Sequence, residues 1–170
     1  KPILLGNDEL IGKLAESIGV DLSGMQIINL RHPNEEDRRI RYAQLLTEKR
    51  QREGMTYAEA HEKMFDRNYF GMMMADAFIT GTYSKYAETI QIAKEVIGIR
   101  EGYKHFGAMH IMNTKCGTYF LADTLINRKP TTETLIDIAK LSYDSVRFFA
   151  KDPVIAMVSY SNFGSDNQGS

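Results

Sequence analysis

Short apolar runs alternate along the chain with longer segments whose apolar residues recur every three or four positions. This alternation constrains the fold more than any other feature. Strands interleaved with helical crossovers pair in parallel, and such a sheet needs helices over both faces. Residues 2–6, Pro-Ile-Leu-Leu-Gly, read as a buried strand. Asn7 can cap a helix that sets Leu10, Ile11, Leu14 and Ile18 on one face, and Gly19 can end it in a left-handed conformation. Residues 25–30 read as a second strand followed by the loop Arg31-His32-Pro33-Asn34. Residues 35–53 read as a charged helix with Ile40, Tyr42, Leu45 and Leu46 inward, stopped by Gly54. Thr56 and Glu59 form a capping-box pair, opening a helix that runs in two pieces to Met74.

The pattern then repeats with a variation. Residues 75–80 read as a third strand, Gly81-Thr82-Tyr83-Ser84 as its loop, and 88–97 as a helix. Residues 106–113 and 118–127 are β-type runs joined at Lys115-Cys116-Gly117, the pattern of a hairpin. A long helix starts at Pro130-Thr131-Thr132-Glu133, and a last strand over 154–158 leads into the polar loop 159–165. The fold class expected is α/β: a doubly wound, mainly parallel sheet with helices on both faces and an inserted β-hairpin region. Right-handed crossovers bring the loops after the strands to the sheet's carboxyl edge, where ligands of open α/β sheets bind.

Composition narrows the function. A length of 170 residues fits one domain with a sizeable core. The formal net charge of −1 implies no preference for nucleic acid or membrane surfaces. The basic run 49–52 has acidic neighbours and reads as a solvated helix face. The single cysteine, Cys116, rules out an internal disulfide and fits a reducing, cytoplasmic setting. No apolar run reaches the roughly 20 residues of a membrane span. The chain opens on an apolar run and stops in a polar loop, so both ends read as cuts inside a longer protein.

The loop Ser159-Tyr160-Ser161-Asn162-Phe163-Gly164-Ser165 is the leading site candidate. It offers hydroxyls, an amide and a glycine behind a buried strand, groups that suit phosphate or carboxylate oxygens. The loop Thr80-Gly81-Thr82-Tyr83-Ser84-Lys85 is of the same kind, with Lys85 available to neutralise an anion. Among His32, His61, His105 and His110 no pair has metal-ligand spacing. His32 sits at a strand end, His61 reads as helix surface, and His110 as a satisfied strand residue. A turn cysteine beside Lys115 is not for that reason a nucleophile. Asp123 reads either as a catalytic carboxylate at the edge of the sheet or, the favoured reading, as the cap of a turn with Asn127, and Met72, Met73 and Met74 read as helix core.

Five segments in order carry a resemblance. They are Ile3-Leu4-Leu5-Gly6-Asn7, Asn68-Tyr69-Phe70-Gly71, Ala75-Asp76-Ala77-Phe78-Ile79-Thr80-Gly81, Phe120-Leu121-Ala122-Asp123-Thr124-Leu125-Ile126-Asn127, and Ala156-Met157-Val158 running into Ser159 to Ser165. Together they resemble the phosphate acetyl/butyryl transferase family over nearly the whole chain. Asn68 to Gly71, Tyr86-Ala87-Glu88-Thr89 and Ser161 to Ser165 resemble the branch carried at the carboxyl end of bacterial NADP-dependent malic enzymes. The resemblance implies an isocitrate/isopropylmalate dehydrogenase-like fold, as in phosphotransacetylases, and a domain that continues past Ser170. It implies a malic-enzyme catalytic domain upstream, using NADP and a divalent metal (Mg or Mn) to convert malate to pyruvate. The domain at hand would hold no cofactor of its own. It would bind acetyl-CoA as a regulatory and homo-oligomerising module, through Thr80, Gly81, Lys85, Ser159, Ser161, Asn162, Gly164 and Ser165.

Three departures from the family pattern bear on activity. The family's Arg-Pro pair after the third strand reads Gln91-Ile92 here, and glutamine lacks the charge with which arginine grips a phosphate. The family carries several more residues between the positions of Met74 and Ala75, so either a loop is deleted here or residues are absent between them. A later Ser-Arg loop and an aspartate of the family's active site lie beyond this chain. The alternative is an active phosphate acetyltransferase moving acetyl between coenzyme A and phosphate, with Lys85 in part replacing the arginine. A ligand-free assembly domain is the third reading.

Overall fold

A computed structural model describes residues 2–81, 84–149 and 152–158. The chain divides into two compact units, Lys1–Gly98 and Ile99–Ser170.

In the first unit, β1 (Ile3–Leu5) pairs in parallel with β2 (Gln26–Ile28), Leu4 opposite Ile27. Helix α1 (Asp8–Ile18) connects them. Asn7 caps α1 by accepting from the Leu10 amide at 2.9 Å, and Gly19 closes it at φ 68°. Parallel pairing sets the loops after β1 and β2 at one sheet edge, where Asn29 donates to Asp8 at 3.4 Å. The apolar stripe of α1 does not turn inward as its spacing suggests: Leu10, Leu14 and Ile18 are exposed, and Ala15 is the residue buried.

Helix α2 (Glu36–Arg50) supplies the core with Tyr42, Ala43 and Leu46. Leu45, expected inside, is exposed, and Arg39 is buried instead. Arg39 bonds the carbonyls of Leu30 and His32 and the carboxylate of Glu36, so it ties the end of β2 to α2. A buried guanidinium is tolerated because its donors are met. The capping box holds as read: Thr56 and Glu59 open α3 (Tyr57–Lys63), and Asp66 caps α4 (Arg67–Met74). Ala60, Met64, Tyr69 and Phe70 complete the core, with Met72, Met73 and Met74 packed against it. Gly71 lets Phe78 and Leu5 close over α4, since a Cβ there would lie 2.3 Å from the Phe78 ring.

Helix α5 (Tyr86–Val96) ends under a basic clamp. Lys49 bonds the carbonyls of Val96 and Ile97, and Arg50 those of Lys94 and Glu95. The run expected to be a solvated face therefore caps a helix. The last four carbonyls of a helix lack internal partners, and cations there also oppose the helix dipole.

In the second unit, β3 (Met109–Thr114) and β4 (Gly117–Ala122) form the expected hairpin, antiparallel with Ile111 opposite Phe120. Helix α6 (Thr132–Phe149) packs against β4, burying Thr134, Ile138 and Val146. The Phe120 and Phe149 rings stand 6.1 Å apart.

The two further strands expected at 75–80 and 154–158 do not form. Helix α4 ends at Met74, and Ala75 still bonds back to Gly71, so no linking residues remain to carry the chain back to the start of a parallel strand. Ile79 is 97% exposed, and Val154 and Val158 are equally uncovered, without ladder partners. Among the described residues the chain is thus an α/β fold with one parallel pair and one hairpin. No helix there is long and apolar enough to cross a membrane.

Candidate functional site

The first unit carries a groove of about 870 Å³. It is lined by Pro2 and β1, by Met74, Ala75 and residues 77–80, by residues 66–68 at the start of α4, and by Ser84, Lys85 and Glu88 at the start of α5. Pro2, Ile3, Leu5, Phe78 and Ile79 give the groove apolar lining, and Arg67, Lys85, Asp66 and Glu88 give it charges of both signs. A largely apolar lining with a few polar and charged groups is the composition of a small-molecule site.

The sequence-selected residues divide here. Thr80 and Lys85 both line the groove, and Gly81 follows Thr80. Thr80 donates its hydroxyl to Asn68 Oδ1 at 2.9 Å. Lys85 precedes α5 at its N-cap position and is exposed, and the neighbouring Ser84 hydroxyl pairs with Thr89 at 2.9 Å. Ser159, Ser161, Asn162, Gly164 and Ser165 lie outside the described residues.

Gln91 does not line the groove. Its amide donates to Glu95 Oε1 at 3.0 Å, one turn further along α5. The other oxygen of Glu95 accepts from the Tyr69 hydroxyl at 2.5 Å and from Lys63 Nζ at 3.4 Å, while Lys63 also donates to Tyr69 at 2.7 Å. Burial works against the charge of Glu95, but Tyr69, Gln91 and Lys63 outweigh it and hold the carboxyl below its usual range. Burial and the bond to Glu95 push the Tyr69 phenol up. Burial likewise opposes the Lys63 charge, yet Tyr69 and Glu95 raise its pKa on balance. A basic side chain does stand near Gln91, but Glu95 neutralises it within the cluster.

The remaining candidates have structural work. His32 Nδ1 accepts from the Asn34 amide at 3.3 Å, capping a short 3-10 turn. His61, read as surface, is half-buried: it meets Glu36 at 3.2 Å and the Phe65 ring edge-on. His110 pairs with the Thr124 hydroxyl at 2.5 Å, and His105 with Asp137 at 2.9 Å. Asp123 caps its turn as read, accepting from the amides of Ala108, Leu125, Ile126 and Asn127 and from the Asn127 side chain. Cys116 is exposed in the two-residue turn of the hairpin. Among the described residues no group of three His, Cys, Asp or Glu side chains could hold a metal ion.

Sequence reasoning passed over Asn68 as a site residue and missed the Lys63–Tyr69–Glu95 cluster. Lys63 and Glu95 stand 32 positions apart with no shared motif, so only the packing of α3, α4 and α5 brings them together. Asn68 had a signal, because it opens one of the segments singled out by resemblance.

The family model described as phosphate acetyl/butaryl transferase matches residues 1–170. The chain belongs to this family. It is 34% identical to the NADP-dependent malic enzyme of Salmonella typhimurium over 98% of its own length and 23% of the relative's. It is 33% identical to the phosphate acetyltransferase of Nitratidesulfovibrio vulgaris over 98% of the chain and 24% of that protein. Among solved structures, EutD phosphotransacetylase from Staphylococcus aureus superposes with a TM-score of 0.73 at 26% identity, covering 98% of this chain and 51% of that one. The chain thus spans about a quarter of the length of these two relatives and about half of the EutD chain.

Proposed function

We propose that this chain is an acetyl-CoA-binding regulatory and oligomerising module of an NADP-dependent malic enzyme, and that it lacks acetyltransferase activity of its own. The observation that carries this reading is Gln91. Where the family places a phosphate-gripping arginine, a neutral amide bonds to Glu95, and the nearby Lys63 is neutralised by the same carboxylate. The groove at Thr80 and Lys85 supports the binding half of the reading. Ser159, Ser161, Asn162, Gly164 and Ser165 complete the site in this proposal. The complete domain takes the doubly wound, isocitrate/isopropylmalate dehydrogenase-like arrangement and self-associates in the cytoplasm. NADP and Mg or Mn belong to a separate catalytic domain that decarboxylates malate to pyruvate, and bound acetyl-CoA biases a two-state equilibrium shared with it.

A second reading, an active phosphate acetyltransferase, is favoured by the relatives bearing that name at 33% and 30% identity. It would align a thioester carbonyl with phosphate, with Ser159, Ser161 and Asn162 as donors and Lys85 as the cation. Equilibrium binding tests the first reading. Saturable uptake of acetyl-CoA by the intact protein, weakened about tenfold or more in Lys85→Ala, is expected from the loss of a charge-assisted hydrogen bond. Unchanged binding in that variant would remove the groove from the account.

A further inference from the structure

We propose that Asn68 is itself a ligand-binding residue of the groove, its amide Nδ2 donating to an acceptor oxygen of the bound acyl thioester while Thr80 holds the amide in orientation. The proposal rests on the reading of the groove as an acetyl-CoA site.

Asn68 stands between two anchors. Asp66 Oδ1 accepts from the Asn68 amide nitrogen at 2.7 Å and from that of Tyr69 at 3.3 Å. The next side chain, Tyr69, is buried and pinned at its hydroxyl by Lys63 and Glu95. The backbone at 68 is therefore fixed by α4, not carried by a loop. The residue is half-buried and lines the groove, as do Thr80 and Lys85. Its Oδ1 is occupied by the Thr80 hydroxyl at 2.9 Å. A planar amide with its oxygen held has its nitrogen direction set as well, and Nδ2 carries two N–H donors. Those donors have no hydrogen-bond partner among the described residues, so a ligand oxygen can take them without displacing a contact from any of these. A neutral donor also suits a groove already lined by Asp66 and Glu88, where a third carboxylate would repel an acceptor oxygen. Thr80 then acts as a positioning residue through Asn68.

The test is titration calorimetry of acetyl-CoA into the intact protein, with Asn68→Ala, Asn68→Asp, Asn68→Gln, Thr80→Val, Lys85→Ala and the Asn68→Ala/Thr80→Val pair. Circular dichroism checks the fold of each, and the Gln and Asp variants carry the test if the Ala variant does not fold. Asn68→Ala should raise Kd about tenfold, as for one lost hydrogen bond to a charged or polarised oxygen. Asn68→Asp should raise it further, because it removes the donors and adds repulsion. Thr80→Val should weaken binding a few-fold alone and add nothing in the Asn68→Ala background, a coupling that a merely structural threonine would not give. Wild-type affinity in Asn68→Asp together with lost affinity in Lys85→Ala overturns this inference and leaves the groove reading standing. Absence of saturable binding by the wild-type protein overturns both.

Discussion

At the scale of single residues, polar side chains in this protein are placed by what they satisfy. Asp123 shows the balance most clearly. Burial penalises its charge, yet the amides of Ala108, Asn127 and Leu125 and the Asn127 side chain outweigh that and hold its carboxyl below the usual range. A carboxylate whose pKa falls on folding lends stability above its unfolded value, near about 3.9, and that stability is lost as the pH falls through the folded value. Asp123→Asn should therefore destabilise the second unit by about 1–3 kcal/mol at neutral pH, since the new amide group opposes N–H donors where an oxygen accepted them. It should also flatten the acid limb of a stability-versus-pH curve followed by hydrogen exchange of residues 106–127. An unchanged acid limb would mean that Asp123 is not a determinant of that pH dependence. Asp123 was legible in the sequence because its partner Asn127 lies four positions away. The Glu95 cluster was not, because its members come from three helices.

At the scale of elements, legibility followed the range of the determining interactions. Caps are local, so the start of α1 at Asn7, its end at Gly19 and the capping box at Thr56 and Glu59 could be read directly. The hairpin turn is local as well. The strands expected at 75–80 and 154–158 had suitable composition, but a strand needs a neighbour, and neither found a ladder partner among the described residues. The stripe Leu10, Leu14 and Ile18 failed for the same reason: periodicity names a face, not what covers it. The basic pair Lys49 and Arg50 was misread because its target, the last turn of α5, lies some 45 positions away. Arg50→Ala should destabilise α5 by about 0.5–2 kcal/mol, from lost carbonyl partners and dipole compensation. Faster amide exchange confined to residues 92–98 would bear this out, whereas a uniform change across the first unit would indicate a global role instead.

At the scale of the whole molecule, the family resemblance read from five segments is matched by the family model, by curated relatives of both kinds and by a phosphotransacetylase structure. Three of the eight candidate site residues, Thr80, Gly81 and Lys85, fall at or beside one groove, while the loop 159–165 lies outside the described residues. The central claim of the proposal concerns charge: it reads Gln91 as standing where the resemblance implies an arginine, and Lys63, which shares Glu95 with Gln91, is already paired. Arginine holds a phosphate bidentately and neutralises it, which an amide cannot do. A coupled assay on the intact protein, following acetyl phosphate formation from acetyl-CoA and phosphate while acetyl-CoA binding is measured in parallel, addresses this directly. Saturable acetyl-CoA binding without acetyl phosphate formation is the predicted result. Turnover that disappears in Ser161→Ala would contradict the account.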